Sequence, residues 1–359
     1  MRRIADLPYS DVPRSSRRAM LRAAGVMAGV LTAGAGIVRP ARARQATPAA
    51  ASGTPCPATT SEEARAVALA YFDSFNTGDA DALAALLAPE YAHHGAVVAQ
   101  QDRDLHIERL RVNRAAFPDG SYDVQDVIAD GDLVAVRHVF TATLQGPYAG
   151  VEPAGQPVAV RAVHIHRVAC GQIVETWNSG DGLGLLRQVG ALPPAGPSPR
   201  TPLGESGATP AATPNGSCAP MTTEETAAIA RRWTEEAWDT HDPAVLEEIV
   251  SPDAVHHAGL FVDEYGVEAV VTDMLALVAA FPDVRFTADV VVAEGDRAAV
   301  RWTGRGTHDG EFQGLAPTGI AVEFTGVNVY RMACGQIVEG WSEPDSLGLL
   351  RQLGVVPAA

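Results

Sequence analysis

Two aspartates stand in matching surroundings where a carboxylate can do chemistry. Asp345 lies in RMACGQIVEGWSEPDSLGLLRQLG, from Arg331 to Gly354. Asp181 holds the same place in RVACGQIVETWNSGDGLGLLRQVG, from Arg167 to Gly190. A carboxyl group in a largely apolar pocket has a raised pKa and can take a proton and return it. Asp before Ser-Leu-Gly-Leu-Leu is equally a good N-cap for a short helix. Histidine pairs occur at His93-His94 and His256-His257. Arg137 and Arg301 fall inside alternating strand patterns; facing a pocket, such a guanidinium holds a carboxylate or enolate oxygen. Facing outward, it is a solvated or sheet-interface residue. Trp177 and Trp341 line a pocket or pack a core. His164 and His166 share one strand face by period two, and with His93 or His94 they make a conceivable metal site. The corresponding places hold Asn328 and Tyr330, and no metal is expected. All 27 basic residues are Arg, so Schiff-base lysine chemistry is excluded. There is no nucleophile elbow, phosphate loop or dinucleotide fingerprint. What remains is acid/base chemistry without a cofactor.

The repeated segment is the end of a duplication that covers most of the chain. The offset between copies is 162 at Cys56/Cys218, 163 at His94/His257 and 164 from Phe117/Phe281 onward. Two single-residue insertions therefore separate them. Each copy opens with helical periodicity, predicted in the second over Thr223 to Thr240, Pro243 to Val250 and Val267 to Phe281. A capping signal begins the first of these and Pro282 ends the last. The period then changes to two, predicting strands over Val284 to Ala293, Arg297 to Thr307, Ile320 to Ala333 and Gln336 to Trp341. Helices followed by a meander read as α+β. The histidine pairs fall between the second and third helices.

Residues 61–192 and 222–357 are read as the two domains, joined by a Pro/Ala/Gly-rich linker over 193–221 and preceded by a tether over 44–60. Residues 1–43 read as a twin-arginine signal peptide, with Arg17-Arg18, a 16-residue small and apolar run from Ala23 to Val38, and Ala41-Arg42-Ala43 as cleavage site. The other reading of that run is a single-span anchor. Export to the periplasm or beyond, with no membrane attachment after cleavage, is the expectation. One cysteine pair per repeat in an exported chain then predicts disulfides Cys56–Cys170 and Cys218–Cys334. A formal charge of −16 argues against nucleic acid and anionic membrane as partners.

The second copy carries Phe281-Pro-Asp283, Gly306-Thr-His-Asp-Gly310, Pro317-Thr-Gly319, Gly335-Gln-Ile-Val-Glu339 and Trp341 through Asp345 to Gly354. As a set these resemble the SnoaL-like polyketide cyclase group, also called ester cyclase-like, of the ketosteroid-isomerase and nuclear-transport-factor superfamily. The resemblance implies two tandem cone-shaped domains, each a bent antiparallel sheet with helices closing a pocket, packed as an intramolecular pseudo-dimer. It implies Asp345 and Asp181 as acid/base residues, His257 and His94 as groups orienting a substrate oxygen, and a small-molecule substrate with no cofactor. Arg301, Trp341, His308, Arg137 and Trp177 are the expected substrate-binding set. The first copy departs at Leu144-Gln-Gly-Pro-Tyr-Ala-Gly150, where His308 has no partner. The working pocket is therefore expected in the second repeat. Two functions fit: cyclisation or isomerisation of a small carbonyl or polyketide-like compound, or non-catalytic binding of a small apolar ligand by an exported carrier.

Overall fold

The computed structural model describes residues 56–95, 101–193, 218–258 and 264–356. The leader, most of the tether and most of the linker lie outside these. One compact unit from Cys56 onward holds both repeats. Among the described residues no helix is long and apolar enough to cross a membrane.

The first repeat begins with helix α1, Ser61–Thr77, opened by a capping box of Thr60 and Glu63 and closed by Gly78 at φ 74°. Ala64, Ala68, Tyr71, Phe72 and Phe75 form its buried stripe. Asp79 caps α2, Ala80–Leu86. Strand β1, Leu87–Gly95, and helix α3, Arg103–Ala116, follow. The sheet is completed by β2 (Ser121–Asp130), β3 (Leu133–Thr143), β4 (Pro157–Ala169) and β5 (Gln172–Gly180), then helix α4 (Gly182–Gln188). Its strand order is β1-β5-β4-β3-β2.

The second repeat repeats this plan with α5 (Thr223–Arg232), α6 (Pro243–Ile249), β6 (Val250–Ala258), a two-residue β7 (Glu264–Tyr265), α7 (Val267–Ala280), β8 (Arg285–Glu294), β9 (Arg297–Thr307), β10 (Ala321–Ala333), β11 (Gln336–Pro344) and α8 (Ser346–Gln352). Its order is β7-β6-β11-β10-β9-β8. The α+β class and the tandem arrangement are as expected. Two details differ. The histidine pairs are not in loops but on β1 and β6, and these strands run parallel to β5 and β11, so each sheet is mixed. The long first helix of the second repeat also changes winding, since Trp233–Trp238 form a π-turn. Cap residues Thr60 and Thr222 differ by 162 and cap residues Asp79 and Asp242 by 163. The helix has absorbed the inserted residue as a widened turn.

Both disulfides form, Cys56–Cys170 and Cys218–Cys334, with Cα–Cα separations of 5.5 and 5.4 Å and no free cysteine among the described residues. Each ties the entry of its repeat to the two-residue Cys-Gly turn of the last hairpin. Both residues of those turns have positive φ, the twist that tight hairpins require.

Candidate functional site

Side-chain alternation divides each sheet between two partners. In the first repeat Ala135, Val163, Ile165 and Trp177 point away from the helices and pack against Val292, Ala299, Val327 and Val329 of the second sheet. Their neighbours Val134, Val136, His138, His164 and His166 face α1 and α3. The second repeat obeys the same division, with Ala298, Val300 and Tyr330 packed towards its own helices.

On the helix side of the first sheet lies a cavity of about 390 Å³. Tyr71, Phe75, Phe117, Tyr122, Phe140 and Tyr148 give its walls an aromatic part, and α3 contributes Arg109 to the lining. Arg109 has no hydrogen bond or ion pair among the described residues, while the adjacent Glu108 pairs with Arg111 at 3.0 Å. A guanidinium without a carboxylate, beside an apolar cavity, is an anion anchor.

The polar part of the wall is histidine. His138, on β3, lies diagonally across from His164 on β4, and their Nε2 and Nδ1 atoms are 3.0 Å apart. Asn178 on β5 sits directly opposite His164, with Nδ2 3.3 Å from the same Nδ1. An atom that receives the Asn178 amide is an acceptor, so His138 Nε2–H donates to it and His164 is left with Nε2–H as a donor. Deeper in, the Tyr71 hydroxyl and His106 Nε2 are 2.8 Å apart, and His166 Nδ1 is 2.9 Å from Thr176 Oγ1. Burial, the first cause in each case, pushes His93 and His164 well below the ordinary histidine range, and His106, His138 and His166 to about 3. All five are neutral at physiological pH, and they serve as hydrogen-bond donors and acceptors rather than as strong bases.

Asp181 does not itself line the cavity, although its neighbours Gly180 and Gly182 do. Its Oδ1 accepts the Gly184 N–H at 2.7 Å and caps α4. Burial raises its pKa, against the opposing pull of that hydrogen bond and of Arg161 and Arg187. Asp345 does the same for α8, accepting from Gly348 at 2.7 Å, and burial raises it too. In each, Oδ1 makes the cap and Oδ2 lies beside the glycine that is capped.

The other expected residues do not line the cavity either. His94 Nε2 pairs with Glu175 at 3.0 Å and its ring stacks on Trp177; His257 pairs with Glu339 at 3.2 Å and stacks on Trp341. In each adjacent pair it is His93 and His256 that turn towards the helices, His93 against His106 and His256 against Trp233. Trp177 and Trp341 belong to the apolar layer between the sheets. Arg137 binds Asp126 and lies 4.2 Å over the Trp341 ring. Arg301 binds Asp289. His308 is buried against Phe281, with Nδ1 3.0 Å from Thr318 Oγ1; it pins a loop. Among the described residues no group of three or more His, Cys, Asp or Glu is placed to hold a metal ion.

In the second repeat the same positions are filled. Trp302 stands where His138 does, Phe324 replaces Val160 and Asp273 replaces Arg109. Phe286, Trp302 and Phe324 pack on one another at ring distances of 5.6 to 6.1 Å, and with Phe281 and Leu349 they form a closed apolar cluster. Among the described residues, the positions that line the first-repeat cavity through His138 and Val160 are thus filled in the repeat with the intact motif set.

A model of the SnoaL-like polyketide cyclase family matches residues 65–189 and again 228–353. Among solved structures, IdmH from Streptomyces antibioticus, a candidate polyketide cyclase, is 32% identical over 35% of this chain and 98% of its own, with a TM-score of 0.33. AclR from Streptomyces galilaeus, a candidate hydroxylase, is 28% identical over 38% of this chain and 87% of its own, with a TM-score of 0.36. A SnoaL-like polyketide cyclase candidate from Jannaschia sp. CCS1 is 24% identical over 40% of this chain and 100% of its own, again at 0.36. No curated protein matches the chain.

Proposed function

This chain belongs to the SnoaL-like polyketide cyclase family, and from that premise we propose that its first repeat is a cofactor-free acid/base site for a small carbonyl compound. The observation that carries the reading is the cavity of about 390 Å³ with an Arg109 that has no partner among the described residues, a donor-bearing neutral His164 and Asp181 between two lining glycines. In the proposed reaction the free oxygen of Asp181 takes a proton from the carbon beside a carbonyl. The electron pair moves onto the carbonyl oxygen, where Arg109 and His164 Nε2–H receive the charge. A neutral imidazole suits this task, since its proton is shared with the oxyanion and not lost to it. The enolate carbon then attacks a second carbonyl carbon, and Asp181 returns its proton to the new alkoxide. Without a second carbonyl, returning the proton to another carbon gives isomerisation.

The second repeat serves as a scaffold in this reading. Its apolar layer against the first sheet supports an intramolecular pseudo-dimer, divided at the boundaries 61–192 and 222–357. Asp345 then acts as a helix cap. Export by the twin-arginine route fits the two disulfides, which form in oxidising compartments. A second reading, an exported carrier without chemistry, draws on the histidines: groups held near 3 are weak bases, and aromatic walls hold an apolar guest without reacting with it.

Native mass spectrometry of the leader-free protein tests both. A ligand that co-purifies with wild type and Asp345→Asn, is lost in Arg109→Gln, and is recovered uncyclised from Asp181→Asn establishes the acid/base site. The same unaltered ligand from wild type and Asp181→Asn establishes the carrier. Retention of ligand in Arg109→Gln removes the first-repeat cavity from both.

A further inference from the structure

Three hydrogen-bonding side chains meet on one wall of the first-repeat cavity and have no part in the acid/base reading. Tyr71 of α1, His106 of α3 and Gln101, just before α3, all line it. The Tyr71 hydroxyl is 2.8 Å from His106 Nε2, and His106 Nδ1 is 3.3 Å from Gln101 Oε1. This chain has one direction. A neutral imidazole carries one N–H and a carbonyl oxygen only accepts, so the proton stands on Nδ1 and is donated to Gln101. Nε2 is then a bare acceptor, and the Tyr71 O–H donates to it. The His106 ring is held in place, 1% exposed, with the Tyr91 and His93 rings at 5.2 and 4.7 Å. With its proton committed, the Tyr71 oxygen keeps its lone pairs, and it has no other hydrogen-bond partner among the described residues. It therefore offers an acceptor to whatever fills the cavity.

The opposite polarity stands beside it. His164, whose ring centroid is 5.9 Å from that of Tyr71, presents Nε2–H as a donor. A ligand that satisfies both has a carbonyl oxygen for His164 and an O–H for Tyr71. In the second repeat the pair is replaced together, Tyr71 by Trp233 and His106 by Val270. We propose that Tyr71, held by His106 and Gln101, is a specificity-determining residue that accepts a hydroxyl proton of the ligand, so that the first-repeat site selects carbonyl compounds that also carry a phenol or enol O–H. A ligand without that group would leave the tyrosine oxygen desolvated and unpaired, which is how a buried polar group rejects an analogue. The inference rests on the reading of this cavity as the ligand site and is indifferent to proton transfer by Asp181, since an enzyme and a carrier would select alike.

Ligand-observed NMR titration of the leader-free protein tests it, with 3- and 4-hydroxyacetophenone and their fluoro analogues, which keep the shape and the carbonyl but lack the donor. The better hydroxy isomer should bind wild type about five- to tenfold more tightly than its fluoro analogue. Tyr71→Phe should remove that preference and keep the affinity for the fluoro compound. Gln101→Met frees His106 to carry its proton on Nε2 and turns Tyr71 towards donating, so the preference should fall there too. Equal affinities in wild type, or a preference kept in Tyr71→Phe, overturn the inference. Loss of both compounds together in Tyr71→Phe and Gln101→Met makes the chain a packing feature and overturns it as well. His138→Trp with Val160→Phe, which fills the cavity, separates this inference from the reading beneath it. Equal affinities that vanish in that protein keep the cavity as the site and remove only the hydroxyl preference, whereas binding unchanged in that protein removes both.

Discussion

The two repeats present nearly the same outer sheet face to each other and quite different inner faces to their helices. Ile128 and Val292, Ala135 and Ala299, Val163 and Val327, Ile165 and Val329 are equivalent positions, and all of them lie in the shared layer. On the inner face His138 is matched by Trp302, Val160 by Phe324 and His164 by Asn328. The outer faces are held alike because each must fit the other. The inner faces answer only to their own helices, and among the described residues the first repeat keeps a cavity where the second places Trp302 and Phe324.

The most severe test of that contrast moves the fillers. Trp302→His with Phe324→Val empties the second interior and should cost about 3–5 kcal/mol or more in urea unfolding. The reverse pair, His138→Trp with Val160→Phe, should abolish ligand uptake by the first repeat. Ligand binding that survives in that protein would place the site elsewhere.

A second test follows from Glu343, a buried carboxylate whose first-repeat counterpart is Ser179. Its folded pKa, near 7, lies above its unfolded value, so the folded state binds the extra proton between roughly 4.5 and 7. Its contribution is fully present below that window and is lost as pH rises through it, by at most about 3 kcal/mol. Glu343→Gln should flatten this part of the stability profile, whereas a slope unchanged by Glu343→Gln would show that other groups produce it.

Arg109→Gln should weaken an anionic ligand by about 100-fold, with Asp273→Asn at the equivalent position without effect. The smallest effect is the one the repeats share. Asp181→Ala and Asp345→Ala each remove a helix cap and should cost about 1 kcal/mol alike by thermal unfolding. Unequal costs would show that one aspartate does more for the fold than cap.

The duplication, the α+β order and the disulfide pairing were legible because they rest on repeated segments and on period. The facing of side chains was harder to read. Both faces of β3, β4 and β5 are buried, so apolar residues fall on each and the usual polar alternation is lost. Counting by two from Ala135 does place Arg137 opposite to His138, and that signal was available. In His93-His94 and His256-His257 the residue type is the same on both faces, and only pairing with β5 and β11 shows that His94 and His257 turn away from the helices. The departure at Leu144 read as the loss of a site. In the fold Leu144 and His308 are both wall residues behind the cavity position, each buried completely, and neither decides whether the space is open. Arg109 and His106 carried no motif; they stand out only once α3 is seen to cover the sheet.

The widened turn at Trp233–Trp238 bears on how that space was closed. In α1 Tyr71 and Phe75 are four residues apart and share one side of an ordinary helix. With an extra residue their counterparts, Trp233 and Trp238, are five apart, which in an α-helix would rotate the second indole away by more than a quarter turn. The i-to-i+5 winding cancels that rotation, and the two rings lie 6.1 Å apart. The widened turn thus keeps two indoles, each larger than its first-repeat counterpart, on one helical stripe without unthreading the rest of the repeat, so an inserted residue is taken up within a single turn and the architecture shared by the two copies is preserved.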